Sequence, residues 1–144
     1  FLCVTMSLLI LSLFILSLRI HCMNAATAAK LGLSKSTLAK LNSVFKRHST
    51  IDSVLIYGSR AKGNYRSGSD IDLTVKGGVF EFAELMQIED QIDDIFLPYT
   101  VDLSLYDQLS NGDLIAHIDR VGVVIYDKNT EPNKAIAEGL AMAK

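Results

Sequence analysis

Cysteine is nearly absent from this chain. It has two, Cys3 and Cys22, and both lie in the N-terminal stretch. The rest of the chain therefore carries neither a disulfide framework nor a cysteine metal cluster. An excess of one charge is also missing: 14 basic against 16 acidic residues leave a net charge of −2. That balance argues against broad electrostatic binding to extended nucleic acid. The three histidines, His21, His48 and His117, share no spacing that would ligate a metal. Proline occurs twice, at Pro98 and Pro132, and internal repeats are absent. With 144 residues the chain has room for one domain with a modest core.

One long hydrophobic run is present, at the start, and it inflates the overall hydrophobic share of 49%. Residues 1–18 are nearly all apolar and uncharged, and Arg19 and His21 end the run. Its length is about what crosses a bilayer. Three readings stand: a membrane anchor, the apolar part of a signal peptide, or translated upstream sequence ahead of a start at Met23. No basic residue precedes the run, which speaks against a signal peptide. The chain opens on Phe1, and Met23-Asn24-Ala25-Ala26 begins an ordinary soluble sequence. The expected division is a hydrophobic segment at 1–22, a domain at 23–128 and a flexible or helical tail at 129–144. The domain is expected in the cytoplasm, anchored to the membrane if residues 1–18 are native.

The chain is organised around Ser53–Leu73, S-V-L-I-Y-G-S-R-A-K-G-N-Y-R-S-G-S-D-I-D-L. An apolar run, Val54 to Tyr57, stops at Gly58-Ser59. A polar, basic loop follows, and a second apolar run opens on Asp70-Ile71-Asp72-Leu73. This pattern predicts strand, turn, short helix or loop, strand. Side chains alternate along a strand, so Asp70 and Asp72 face the same way. Two carboxylates so placed repel each other, and such pairs usually share a cation. A Gly-Ser turn brings bare N–H groups and a hydroxyl close to a phosphate. The two features together suggest nucleotide chemistry.

Around this unit the periodicities give further elements. Ser34 or Ser36 caps a helix running to about His48, with Leu38, Leu41, Val44 and Phe45 on one face. Strands are expected near 53–57 and 71–75. A helix at about 79–96 carries an apolar stripe of Phe82, Leu85, Met86, Ile92, Ile95 and Phe96, and its acidic residues form a solvated face. A third strand at 100–105 contains Asp102, which faces opposite to Val101 and Leu103. A short helix at 113–120 and a fourth strand at 122–126 complete the set. A parallel or mixed sheet would set Asp102 beside the Asp70/Asp72 strand. Gly58 and Gly63 have P-loop spacing, but Asn64-Tyr65 stands where Lys-Ser/Thr is required, so that reading fails.

Gly58-Ser59-Arg60-Ala61-Lys62-Gly63, followed by Ser69-Asp70-Ile71-Asp72-Leu73, resembles a known signature. It is the G-S-x-A-x-G … S-D-x-D-L pattern of the nucleotidyltransferase superfamily related to DNA polymerase beta. The short length is similar to the minimal nucleotidyltransferase branch, and the resemblance covers roughly residues 33–126. It implies an α/β (α+β) nucleotidyltransferase fold, a small mixed β-sheet with helices packed mainly on one face. It implies that Asp70, Asp72 and Asp102 are catalytic and hold two Mg²⁺ ions. It implies ATP, a nucleoside triphosphate, as substrate, with AMP moved to a hydroxyl. Gly58, Ser59, Arg60, Lys62, Arg66 and Ser69 are the expected nucleotide-binding residues, although Arg60 also admits a structural role. With little chain left for a substrate domain, the acceptor must be held by a partner or by homo-oligomerisation. In the resembled branch that partner is a helical HEPN-type toxin and the nucleotidyltransferase is its antitoxin. A small-molecule nucleotidyltransferase of the antibiotic-modifying kind and an antitoxin that masks its partner by binding alone remain alternatives.

Overall fold

A computed structural model of the chain describes residues 27–130. The apolar segment at 1–22 and the tail from 131 onward lie outside the described residues. A helical stretch at 27–31 leads into α1 (Lys35–Phe45), then β1 (Ile51–Tyr57), α2 (Gly58–Lys62), β2 (Ile71–Gly77) and α3 (Phe82–Asp94). β3 (Val101–Leu105), a 3-10 turn at Tyr106–Gln108, α4 (Gly112–Val121) and β4 (Val123–Asp127) follow.

Local chemistry sets the helix starts. The Ser34 hydroxyl accepts the Thr37 N–H at 3.0 Å, which satisfies one of the N–H groups a helix leaves unpaired at its start. Asn111 caps α4 in the same way, accepting from the Asp113 and Leu114 N–H groups at 3.0 and 3.2 Å. The Asn111-Gly112 pair is therefore a helix start.

The sheet order is β3-β2-β1-β4. β1 runs antiparallel to β2 and to β4, while β2 and β3 are parallel. The sheet is mixed, as the sequence led one to expect. A parallel pair needs a crossover, and α3 supplies it. Val54, Ile56, Leu73 and Val75 bury one face of the sheet against Leu41 and Phe45 of α1 and Ile88 and Ile92 of α3. The Phe45 and Tyr126 rings meet at 5.9 Å, tilted by 54°. α4 lies against the reverse face, where Leu55 and Ile118 are buried outside the main cluster. That face is left open beside β2 and β3, where the aspartates are.

The structure corrects one element. α3 begins at Phe82, not near Val79, because Gly77 still pairs with Ile51 and the Gly78 N–H donates to the Thr50 carbonyl at 3.0 Å. Its buried line centres on Ile88 and Ile92 rather than on Phe82 and Met86. At about 100° per residue, Phe82 lies roughly 120° round the helix from Ile88, and Met86 lies almost opposite it. Phe82 is 77% exposed, and Phe96, past the helix end, is 86% exposed. Among the described residues no helix is long and apolar enough to cross a membrane.

If the Ser34 cap anchors α1, Ser34→Ala will lower stability by about 1 kcal/mol. For a domain of this size that is a fall of roughly 4–8 °C in Tm, read by thermal melting.

Candidate active site

β1 ends in a tight turn that only glycine fits. Gly58 has φ +71°, and a Cβ added there would overlap the Asp72 carboxylate. Glycine tolerates that backbone conformation and leaves the space empty. The consequence is positional: the Gly58-Ser59 backbone lies directly against Asp72. α2 then runs for one turn and ends at Gly63, left-handed at φ 83°, whose N–H donates to the Ser59 carbonyl at 3.0 Å.

Asp70 immediately precedes β2, and Asp72 is its second residue. In the β2–β3 register Asp72 is directly opposite Asp102, so the two share a sheet face. Partial burial raises the Asp72 pKa above its ordinary value, and the charges of Asp102 and then Asp70 push it further the same way. The three carboxylates thus act on one another across one corner of the sheet. Among the described residues no three His, Cys, Asp or Glu side chains are gathered as a ready metal cage. The site is an open arrangement of oxygen donors, with Asp72 disfavoured as an anion by burial and by its neighbours. Such a donor set fits a hard divalent cation such as Mg²⁺, which would remove the repulsion.

Arg60 is 1% exposed and points inward. Its Nε and Nη2 donate to the Ser69 carbonyl at 3.1 and 2.8 Å. Its Nη1 donates to the carbonyls of Leu31 and Gly32 at 3.0 and 3.3 Å. The guanidinium carbon also sits 5.3 and 4.6 Å from the ring centres of Tyr65 and Tyr99. Arg60 is therefore a clasp between the turn at Leu31–Gly32, the loop that ends at Asp70, and the residue before β3's approach at Thr100. The structural role, one of the two open from the sequence, is the one its contacts describe.

The loop between α2 and β2 is held the same way. The Tyr65 ring packs on Gly32 so closely that a Cβ there would overlap it. The Arg66 N–H donates to the Ser69 hydroxyl at 2.8 Å, and the Ser69 N–H donates back to the Arg66 carbonyl at 3.0 Å. Ser69 thus closes a small turn, and Tyr65 is a packing residue. Lys62 and Arg66 are exposed beside the turn, and Ser59 is half-buried next to Gly58. Gly58, Ser59, Asp70, Asp72 and Asp102 come together at one corner. Tyr99, Leu31 and Gly32 support it and had no local signal in the sequence.

An open corner of carboxylates beside a Gly-Ser turn, on a mixed four-stranded sheet, defines a nucleotidyltransferase. The chain belongs to the polymerase beta-type nucleotidyltransferases: the family described as Polymerase beta, Nucleotidyltransferase matches residues 39–131. Among solved structures it is similar to a toxin–antitoxin complex crystallised with AMP-PNP, with 15% identity and a TM-score of 0.54. That alignment covers 74% of this chain and 86% of the other. Two mutants of the MntA-HpeT toxin–antitoxin are also similar. One has 12% identity and a TM-score of 0.52, with 74% and 85% of the two chains covered. The other has 16% identity and a TM-score of 0.51, with 77% and 86% covered. At such identities the likeness is one of fold. By sequence, no curated protein matches the chain.

The raised Asp72 pKa carries a sign. The folded state binds the proton more tightly than the unfolded chain, so ionised Asp72 destabilises the fold. The penalty is absent well below the ordinary value of 3.8 and grows as pH rises through and above it. In metal-free buffer Asp72→Asn should match wild type at low pH. Near neutral pH it should melt higher, by about 0.5 kcal/mol on the scale of opposed like charges. Thermal melts from pH 3 to 7 read the difference; an Asn variant less stable at neutral pH would contradict the reading.

Proposed function

We propose that this chain transfers AMP from ATP to a hydroxyl on a partner protein. The observation that carries the reading is the register that sets Asp72 opposite Asp102, with Gly58 against the same carboxylate. A nucleoside triphosphate needs its charge neutralised and its α-phosphorus held in line with an incoming hydroxyl. Bound there, Mg²⁺ would supply the Lewis-acid neutralisation of the phosphates. Asp70 and Asp72 would hold two such ions, with Asp102 on the acceptor side. Gly58 and Ser59 offer N–H groups and a hydroxyl to the β- and γ-phosphates, and Lys62 and Arg66 lie within the same loop system. The acceptor oxygen forms a bond to the α-phosphorus as the bond to the bridging oxygen breaks. Pyrophosphate leaves, and the hydroxyl proton passes to Asp102 or to water.

Two observations support adenine and a protein acceptor. A similar fold was crystallised with AMP-PNP, and the similar structures are toxin–antitoxin complexes. The described domain has little outside the sheet and its helices with which to enclose a small acceptor. A HEPN-type helical toxin is the partner this reading names, with the present chain as its antitoxin.

The test is transfer of label. The chain is incubated with Mg²⁺, α-labelled ATP and lysate of the source cells. A labelled protein band is expected, weakened by more than about 100-fold in Asp70→Asn, beyond what loss of an outer-sphere contact costs. Chelation of the metal should abolish it. Undiminished labelling by Asp70→Asn would refute the assignment. No label with any nucleotide or metal, from a chain that still captures its partner, would favour masking by binding alone.

A further inference from the structure

The net charge of −2 conceals a sharp segregation. Residues 27–76 carry nine Lys or Arg and three acids, whereas residues 77–119 carry ten Asp or Glu and no Lys or Arg. α3 and the loop before it fall in the acidic half. The same surface holds the apolar side chains that the fold leaves out. Val79 is 93% exposed, Phe82 77%, and Met86 is exposed one turn further along the same side of α3. Beside Val79 is a recess of about 200 Å³ lined by Val75, Phe80 and Leu105, with Asp107 at its wall. At the other end of α3, Phe96 is exposed on a backbone of φ 48°, a conformation that disfavours every residue but glycine. Phe96 is absent from the core cluster.

We propose that this face of α3, from Val79 to Phe96, docks a partner protein through a basic amphipathic helix. Apolar side chains of that helix would seat in the recess and on Phe82 and Met86. Its Lys and Arg residues would face Glu81, Asp90, Asp93 and Asp94. Large exposed apolar groups rimmed by charge mark interaction sites. A second copy of this chain is the weaker occupant. Its basic helix is α1, and none of the large exposed apolar residues of the described chain lies on α1. The face ends near the active corner, because Thr100, four residues after Phe96, pairs with Ile71 next to Asp70. The inference concerns binding and does not depend on nucleotide transfer.

The test measures binding of a labelled helical peptide to the full chain without nucleotide or metal. The peptide carries Leu at i, i+3, i+4 and i+7 and Lys at its other positions. Fluorescence anisotropy should show saturable, salt-weakened binding. Val79→Ser with Phe82→Ser, and separately Glu81→Lys with Asp90→Lys and Asp93→Lys, should each weaken it at least tenfold while melting as wild type does. Lys35→Glu with Lys40→Glu, on α1, should leave it unchanged. Equal binding by the α3-face variants would overturn the proposal. So would sedimentation showing that the chain self-associates and that the same α3 substitutions make it monomeric, since the face would then belong to a second copy.

Discussion

The buried guanidinium of Arg60 is the contact on which the site depends. Removing a cation from water costs several kcal/mol unless its donors are met. Here carbonyl dipoles and ring faces meet them: four hydrogen bonds go to Leu31, Gly32 and Ser69, with Tyr65 and Tyr99 packed alongside. Each such charge-assisted bond contributes about 1.5–3 kcal/mol. The arrangement fixes three separate stretches of chain at once. One of them is the Ser69 carbonyl, the peptide group that leads into Asp70. The loop that delivers the aspartates is therefore held from beneath, by a side chain that lies away from water.

What the clasp holds in place is unfavourable by itself. Partial burial of Asp72 raises its pKa, and the charges of Asp102 and Asp70 add to the rise. A relaxed fold would let these carboxylates drift apart into water. The parallel register of β2 and β3 keeps Asp72 and Asp102 opposed, and Gly58 has no Cβ to push the Asp72 carboxylate aside. On the proposed function, a bound cation would relieve this repulsion, at the corner where a polyphosphate would sit. The sheet and the clasp hold Asp72 in a position that its own charge disfavours.

Much of this was legible in the sequence because it is local. The Gly58-Ser59 turn, the Asp70/Asp72 alternation and the Ser34 cap each lie within a few residues. The period of two also singled out Asp102, and the α1 stripe of Leu38, Leu41, Val44 and Phe45 is buried as its spacing predicts. What escaped is non-local. Arg60 finds its carbonyls at Leu31 and Gly32, 28 and 29 residues upstream, so only the fold shows that it faces inward. The inner side of α3 was misplaced toward Phe82 and Met86. Apolar residues on that helix ring most of its circumference, and only packing against α1 and the sheet selects Ile88 and Ile92. The acidic half of the chain was hidden by a net charge that averages it against the basic half.

The most direct test is Arg60→Lys, assayed for nucleotidyl transfer per folded molecule. Lysine keeps the charge but cannot reach carbonyls on both sides, because it lacks the planar fork of donors. If Arg60 holds the aspartate loop, the variant will fold with a lowered Tm. Transfer will fall far more than the loss of folded protein explains, while Asp70→Asn loses transfer with its fold intact. An Arg60→Lys protein that transfers nucleotide at the wild-type rate would show that the clasp does not organise the site.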